Sequence, residues 1–477
     1  MRVNGAAVLA TLVLLGLAAA PAAALDGRRL RVRDGRLIDA RRREVTLRGT
    51  NARVEGVFDV TFDDGRLPLE AIPTFDEGDA ARMEAFGFNL LRLPLSWSAL
   101  EPVRGRYDGA YLDRVAAVVE LCRAHGILVL LDFHQDAFSK EIGQDGAPRW
   151  ALDLLLGPNN YPYLGGPLTD LSARRLAPAT TGAFRQFFLN QAGVQDDFAA
   201  AAAALARRFA REPAVLGYET MNEPLAFFVP NGDALLLAFH VRVARAIRAA
   251  DRRHLIAFEP DTIRNLTNRA PIPAASFPVR GALYAPHIYT DVFDGHDFSS
   301  GNPAELAPSM EHAANEAAGW GAPLLVGEYG IDPGAPNANA WIAAELDLQD
   351  RLRAHSTFWL WEEISSGHWG LFDGESSEGG ERVARTTALS RVYAQAVPGR
   401  VLEHTVDAAA NTLRLRYQAR SGAALELFVP ARRYPGGFVV RCNGAQIAAA
   451  PGARAGTVML RCGRGRGERL VELAPAS

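Results

Sequence analysis

Cysteine is scarce in this chain, three residues in 477. No Cys/His spacing resembles a zinc site, so no metal is expected. Neither sign of charge dominates: Lys+Arg number 51, Asp+Glu 54, and the net charge is −3. A basic stripe with interleaved aromatics is missing, which argues against nucleic acid as a partner. Past the N-terminus no long uncharged apolar run occurs, so the mature chain should not span a membrane. The first strand pattern leads into Gly49-Thr50-Asn51-Ala52-Arg53, which is not the Gly-rich phosphate loop that a doubly wound dinucleotide-binding sheet requires. No cofactor is expected.

What is present suits a large globular protein. Hydrophobic residues make up 48% and charged residues 22%, enough for a full core in a large domain plus a smaller one. The N-terminus reads as a signal peptide over residues 1–24. Arg2 gives the positive start, residues 6–20 the apolar run, and Ala22-Ala23-Ala24 the small-residue cleavage pattern. Cleavage after Ala24 would release a secreted chain; the alternative is an uncleaved helical anchor. No Cys follows that pattern, so a bacterial-type lipid anchor is not suggested. Cys122 shares a helical apolar face with Leu112, Val115 and Val119 and reads as a core residue. Cys442 and Cys462 lie in two short strand-like runs, as either a disulfide or two reduced core thiols.

Strand and helix patterns alternate through most of the chain. Strands are expected at residues 45–51, 89–94, 127–134, 215–222, 254–259, 281–289, 323–328 and 356–361, with helices between them and a closing helix at 386–396. Residues 29–38 read as a small hairpin closing the barrel bottom. Eight strands separated by helices are the pattern of a (β/α)8 barrel. From about residue 398 only short strand patterns between Gly/Pro/Asn turns remain, which indicates an all-β sandwich. The expected division is a signal peptide (1–24), a barrel (25–398) and a C-terminal β-sandwich (399–477). The loop from His134 to about Gln195 is unusually long. It is rich in apolar residues: Phe138, Trp150, Tyr161, Tyr163, Leu164, Phe184, Phe187 and Phe188. These could line a groove for an apolar aglycone, offer platforms to a polysaccharide, or pack the loop onto the barrel.

A barrel places its chemistry at the carboxyl ends of its strands. Polar residues cluster there: Arg92, His134-Gln135-Asp136, Asn222-Glu223, His287-Ile288-Tyr289, Glu328-Tyr329 and Trp361-Glu362-Glu363. Two carboxylates facing one another across such a bowl suit glycoside hydrolysis. Glu223 and Glu328 are the natural pair. Arg92 and Tyr289 would hold Glu328 ionised, whereas Glu223 would need a drier or more electronegative setting to keep its proton. Asn222 is placed for a sugar 2-hydroxyl and Trp361 for the face of a sugar ring. Arg92 also reads as a structural ion-pair partner, Glu219 as structural, and Glu259 as a competing strand-end carboxylate.

This ordered set resembles glycoside hydrolase family 5. The resemblance implies Glu223 as acid/base and Glu328 as nucleophile, with Arg92, His134, Asn222, His287, Tyr289 and Trp361 binding the sugar that is cleaved. Residues Leu131-Asp132-Phe133-His134-Gln135-Asp136, Asp145-Gly146-Ala147-Pro148-Arg149-Trp150, Ser96-Trp97 leading to Glu101-Pro102, Leu425-Glu426-Leu427-Phe428-Val429-Pro430 and Tyr434-Pro435-Gly436-Gly437 are similar to the endoglycoceramidase subfamily. That similarity implies Asp136 as a further sugar ligand. The acidic pair Glu362-Glu363 departs from the bacterial pattern and leaves the glycan open. The expected activity is that of a retaining β-glycosidase acting between a sugar and ceramide or a similar lipid, with transient contact to a membrane or micelle surface. The alternatives are an endo-β-glucanase of the same mechanism and a catalytically silent carbohydrate- or lipid-binding protein.

Overall fold

The computed structural model describes residues 25–167, 169–364, 369–373, 380–463 and 465–476. The signal-peptide reading of residues 1–24 falls outside them. Among the described residues no helix is long and apolar enough to cross a membrane.

Eight parallel strands form the central sheet: β1 (Arg48–Asn51), β2 (Leu90–Ser96), β3 (Leu128–His134), β4 (Val215–Glu219), β5 (Leu255–Phe258), β6 (Ala282–Tyr284), β7 (Leu325–Tyr329) and β8 (His355–Phe358). Their order is β7-β8-β1-β2-β3-β4-β5-β6. Parallel bridges Tyr284–Leu324 and Ile288–Tyr329 close the ring between β6 and β7. The strands are buried on both faces, as helix-wrapped parallel strands must be. Side chains alternate between the two faces. Leu91, Leu93 and Leu95 point out toward the helices, while Leu90, Leu128, Leu255 and Leu283 fill the barrel's floor. Following the inward files upward gives Leu90–Arg92, Leu128–Leu130–Asp132–His134, Leu255–Ala257–Glu259 and Leu283–Ala285–His287. The same period of two that packs the floor with leucine delivers polar groups to the mouth.

Five expected elements differ, two of them because the strands expected at 215–222 and 356–361 stop at Glu219 and Phe358. Residues 45–51 are not one strand; Glu44–Val45 and Arg48–Asn51 belong to different sheets. Regular pairing in 281–289 stops at Tyr284, two residues before Pro286, which has no N–H for a ladder. The closing helix covers Val383–Leu389, and Tyr393–Val397 is a strand. That strand pairs with Glu44–Val45 and Leu425–Phe428, so tertiary pairing overrides the local helical pattern.

The β-sandwich has a second sheet of five strands, Gly399–Asp407, Thr412–Ala419, Gly467–Pro475, Phe438–Cys442 and Ala445–Ile447. Its first sheet has seven strands, three of them from the N-terminus: Arg31–Arg33, Arg36–Ile38 and Glu44–Val45. The N-terminal hairpin therefore does two jobs. Leu30 and Leu37 cap the leucine floor of the barrel, and its strands continue the sandwich sheet. Cys442 and Cys462 are joined, with Cα atoms 5.7 Å apart, inside the sandwich core, and Cys122 is free and buried.

Candidate active site

The site is built around Arg92, which is fully buried at the centre of the bowl. Its guanidinium meets Glu219 at 2.8 Å, Asp132 at 3.1 Å, Glu259 at 3.2 Å and Glu328 at 2.8 Å. It also donates to Asn51 Oδ1 at 3.0 Å and Asn222 Oδ1 at 2.9 Å. One planar fork thus fixes groups from five barrel strands or their ends, a task suited to Arg geometry. Four carboxyl groups against one guanidinium cannot all ionise cheaply in a buried site. Burial and neighbouring acids push Glu259 well above the usual carboxylate range. Glu219 is also raised, chiefly by burial, although Arg92 opposes this.

Glu328 Oε1 is held by Arg92 and Oε2 accepts from the Tyr289 hydroxyl at 2.8 Å. Burial beside Glu328 and Glu223 keeps the Tyr289 phenol protonated and therefore a donor. Glu223 sits across from it. Its Oε1 accepts from Asn265 Nδ2 at 2.7 Å and lies 2.8 Å from His287 Nδ1. The same ring nitrogen is 3.4 Å from Glu328 Oε2, and His287 Nε2 is 3.3 Å from Glu259. Burial alone would lower the proton affinity of His287; Glu259, Glu328 and Glu223 outweigh it and hold it well above the ordinary range. Oxygens of Glu223 and Glu328 approach within 4.8 Å of one another.

Glu223 also differs in its backbone. Its φ is +39°, in the left-handed region that side-chain-bearing residues avoid. Three contacts hold this turn. The Glu223 N–H donates to Glu259 Oε2 at 3.2 Å, and Gln135 Nε2 donates to the carbonyls of Asn222 at 2.7 Å and Glu223 at 2.9 Å. Asn222 gives its carbonyl oxygen to Arg92 and one amide hydrogen to Gln135 O. Its amide nitrogen carries a second hydrogen beyond the one used in that bond. His134 is oriented by Asp132 at 2.6 Å, which leaves Nε2 toward Asp136 at 3.5 Å. Asp136 is itself set by Asp145, whose carboxylate accepts the Asp136 N–H.

The structure brings Arg92, His134, Asp136, Asn222, Glu223, His287, Tyr289 and Glu328 into one bowl. It does not bring Trp361. That residue is 1% exposed, packs against Phe86, Phe88 and Phe372, and donates its indole N–H to Asp79. The ring facing the bowl is Trp359, half-exposed and stacked beside His134 with centroids 5.7 Å apart. Strand β8 ends at Phe358, and beyond it the chain leaves regular strand geometry, so strand alternation no longer places Trp361. The aromatics of the long loop are also mainly packing. Phe138, Phe184, Phe187 and Phe188 interlock with one another and with Phe198 and Phe239. Trp97 and Trp150 both donate to Glu101, through its side chain and its carbonyl respectively. Glu363 pairs with Arg53, as does Glu70.

Sequence reasoning placed Gln135 at a strand end without giving it a role, and missed Asn265 and Arg175. Asn265 comes from the one-turn helix Arg264–Thr267, where no periodicity could mark it. Arg175 ends the short helix Leu171–Arg175 within the long loop and reaches back to Asp136 and Glu223.

Comparison with known proteins agrees with this geometry. Residues 73–365 match the Cellulase (glycosyl hydrolase family 5) model, and residues 391–471 match the glycoside hydrolase family 5 C-terminal domain. Endoglycoceramidase I of Rhodococcus hoagii is 31% identical over 445 residues, covering 86% of this chain and 83% of that protein. The structure of endo-glycoceramidase II from Rhodococcus sp. with ganglioside GM3 superposes with a TM-score of 0.78 at 26% identity, covering 93% of this chain and 100% of that one. An endogalactoceramidase structure gives a TM-score of 0.74 at 26% identity, covering 94% and 100%. The chain belongs to glycosyl hydrolase family 5 and is a glycoside hydrolase of the endoglycoceramidase-like kind.

Proposed function

We propose that this protein is a secreted retaining β-glycosidase that cleaves the bond between a sugar and a lipid of the ceramide type. Glu328 serves as nucleophile and Glu223 as acid/base. The observation that carries this reading is the carboxyl pair, with oxygens within 4.8 Å. Retaining pairs stand about 5–5.5 Å apart, whereas inverting pairs need roughly 6.5–9.5 Å to admit a water. Glu328, gripped by Arg92 and Tyr289, attacks the anomeric carbon. Glu223 protonates the departing oxygen and then removes a proton from the water that releases the sugar. The single amide hydrogen left on Asn222 meets the 2-hydroxyl, His134 and Asp136 bind further hydroxyls, and Trp359 supports the ring.

A lipid aglycone is favoured over a polysaccharide by exposed apolar residues that follow in sequence, or pack on, groups touching the pair. Leu266 adjoins Asn265, which touches Glu223, and Leu176 adjoins Arg175, which also touches it. Phe293 packs on Tyr289, which touches Glu328. All three are exposed, as is Phe227 four residues after Glu223. Exposed apolar side chains one step from catalytic contacts suit a substrate drawn from a membrane or micelle. Export by the segment 1–24 fits such a substrate.

The test is a panel of glycosylceramides, oligosaccharyl ceramides and β-glucans, with products weighed by mass spectrometry. The expected result is release of an intact glycan together with free ceramide. Release of glucan fragments with untouched glycolipid would overturn the lipid assignment. Turnover with inverted anomeric configuration would overturn the roles of the pair.

A further inference from the structure

Oε2 of Glu223 has no aligned hydrogen bond among the described residues, yet it is not left facing an empty bowl. The guanidinium Nη2 of Arg175 stands 3.0 Å from it as an ion pair, and the same nitrogen contacts Asp136 Oδ1. Oε1 is already committed to Asn265 and His287, so Oε2 is the oxygen that must reach the glycosidic oxygen. Arg175 occupies the gap between this oxygen and Asp136, where a bound sugar and its leaving group have to sit. It does so from the long loop between β3 and β4, with 29% of its side chain exposed. The other charged groups facing Glu223 come from the rigid barrel. His287 follows β6 and is shared with Glu328 of β7 and Glu259 of β5, while His134 ends β3 between Asp132 and Asp136. Asn265 is neutral.

The electrostatic consequence runs against the task of an acid. Burial would raise the proton affinity of Glu223, but Arg175 first, then His287 and His134, overcome it and hold this carboxyl far below the usual range. A carboxylate held ionised cannot protonate a leaving group.

Resting on the acid/base role given above, we propose that Arg175 is a displaceable guard: it fills the substrate's place between Asp136 and Glu223, and its departure on sugar binding lets Glu223 take up the proton it later gives to the leaving oxygen. Arg175 acts through Glu223 and is a positioning residue. The proton comes from solvent while the mouth is open. The device keeps the acid unarmed until a sugar claims Asp136.

Arg175→Gln and Arg175→Lys test this through pH profiles on a glycolipid and on a 2,4-dinitrophenyl glycoside, whose leaving group needs no acid. In the wild type the alkaline fall of kcat/KM, which reports the free enzyme, should occur at lower pH than that of kcat. In Arg175→Gln the kcat/KM limb should move up by about 1–3 pH units and KM should fall. Arg175→Lys should keep the wild-type limb, and kcat/KM for the dinitrophenyl substrate, which reports the step that needs no acid, should show no movement in any variant. A uniform loss of kcat/KM with the limb in place would overturn the proposal in favour of direct substrate binding. Identical profiles in all three proteins would overturn it outright. Infrared difference spectra against Glu223→Gln, recorded without substrate, give the protonation of Glu223 directly. Protonation of Glu223 at higher pH in Arg175→Gln is expected there, and coincident titrations would refute the guard. That readout stands even if the sugar or lipid has been misassigned.

Discussion

Replacing Glu345 by Gln should make the barrel more stable at alkaline pH and leave it nearly unchanged at pH 5. Glu345 lies on the helix Ala338–Leu352, fully buried, and neither carboxyl oxygen has a hydrogen-bond partner among the described residues. Burial pushes it from 4.5 up to about 8, with Arg264 opposing. A native proton affinity above that of the unfolded chain adds stability below about 4.5, and this stability is lost as pH climbs through about 8. At ~1.4 kcal/mol per unit the loss is at most about 5 kcal/mol. Relaxation around a buried charge reduces such penalties to several kcal/mol, so about 2–4 is the working expectation. Gln has nearly the same shape and no charge to acquire. All seven tryptophans lie between Trp97 and Trp369, so their fluorescence in a urea titration follows the barrel and not the sandwich. The urea midpoints should coincide for the two proteins at pH 5 and separate by pH 9, with Glu345→Gln the higher. Parallel pH dependence of both midpoints would refute the buried, proton-holding carboxyl.

Glu328→Ala should fold normally and lose glycolipid turnover almost entirely, with no recovery on activated substrates. Glu223→Ala should lose about 10²–10⁴-fold in kcat/KM on natural leaving groups and regain most of it with a dinitrophenyl leaving group, while kcat stays low because the base for sugar release is gone; kcat/KM and kcat on both substrates separate the two roles. Tyr289→Phe removes one donor to a carboxylate, worth about 1.5–3 kcal/mol, and should lower kcat/KM about ten- to a hundredfold with the melting temperature little changed. Trp359→Ala should raise KM and leave stability alone, whereas Trp361→Ala should destabilise the barrel by about 3–5 kcal/mol. Paired kinetics and denaturation would expose an exchange of those two roles.

The fold and the polar strand ends of the bowl were legible because they follow from a repeating rule. Parallel strands buried on both faces read as apolar runs, and the period of two that packs Leu90, Leu128 and Leu255 at the floor must deliver Arg92, Asp132 and Glu259 above them. Glu223 and Glu328 follow it less directly: Glu223 lies four residues past the end of β4 at Glu219, and β7 shifts register between Val326 and Tyr329 around Glu328, so both stand out only as carboxylates closing an apolar run. Where the rule stops, so does the reading. Trp359 and Trp361 have the same parity, and only the end of β8 at Phe358 decides which one faces the bowl. Phe138, Phe184 and Phe187 carry no mark in the sequence of whether they meet a lipid or each other. Arg175 and Asn265 sit on short helices whose placement depends on packing far away in sequence. The N-terminal hairpin gave no sign that its strands would join a sheet completed some 350 residues later, because antiparallel pairing leaves no local trace of its partner.

The roles of Arg92 and Arg175 differ because their surroundings differ, although both are guanidinium groups on carboxylates of the proposed pair. Arg92 is locked by four carboxyl groups and two amides, and removing it would strand several buried acids at once. It therefore sets a constant field that opposes the rise which burial imposes on Glu259 and Glu219. Among the described residues Arg175 pairs with Asp136 and Glu223, and both are groups that a sugar would also engage. When a hydroxyl takes Asp136, the guanidinium loses half its hold, and its side chain can swing to solvent at small cost. Glu223 then keeps His287, which it shares with Glu328 and Glu259, but no longer has a cation of its own. Its buried negative charge is now undercompensated, and protonation becomes the favoured response. The state of the acid is thus governed by a cation that the substrate itself can displace.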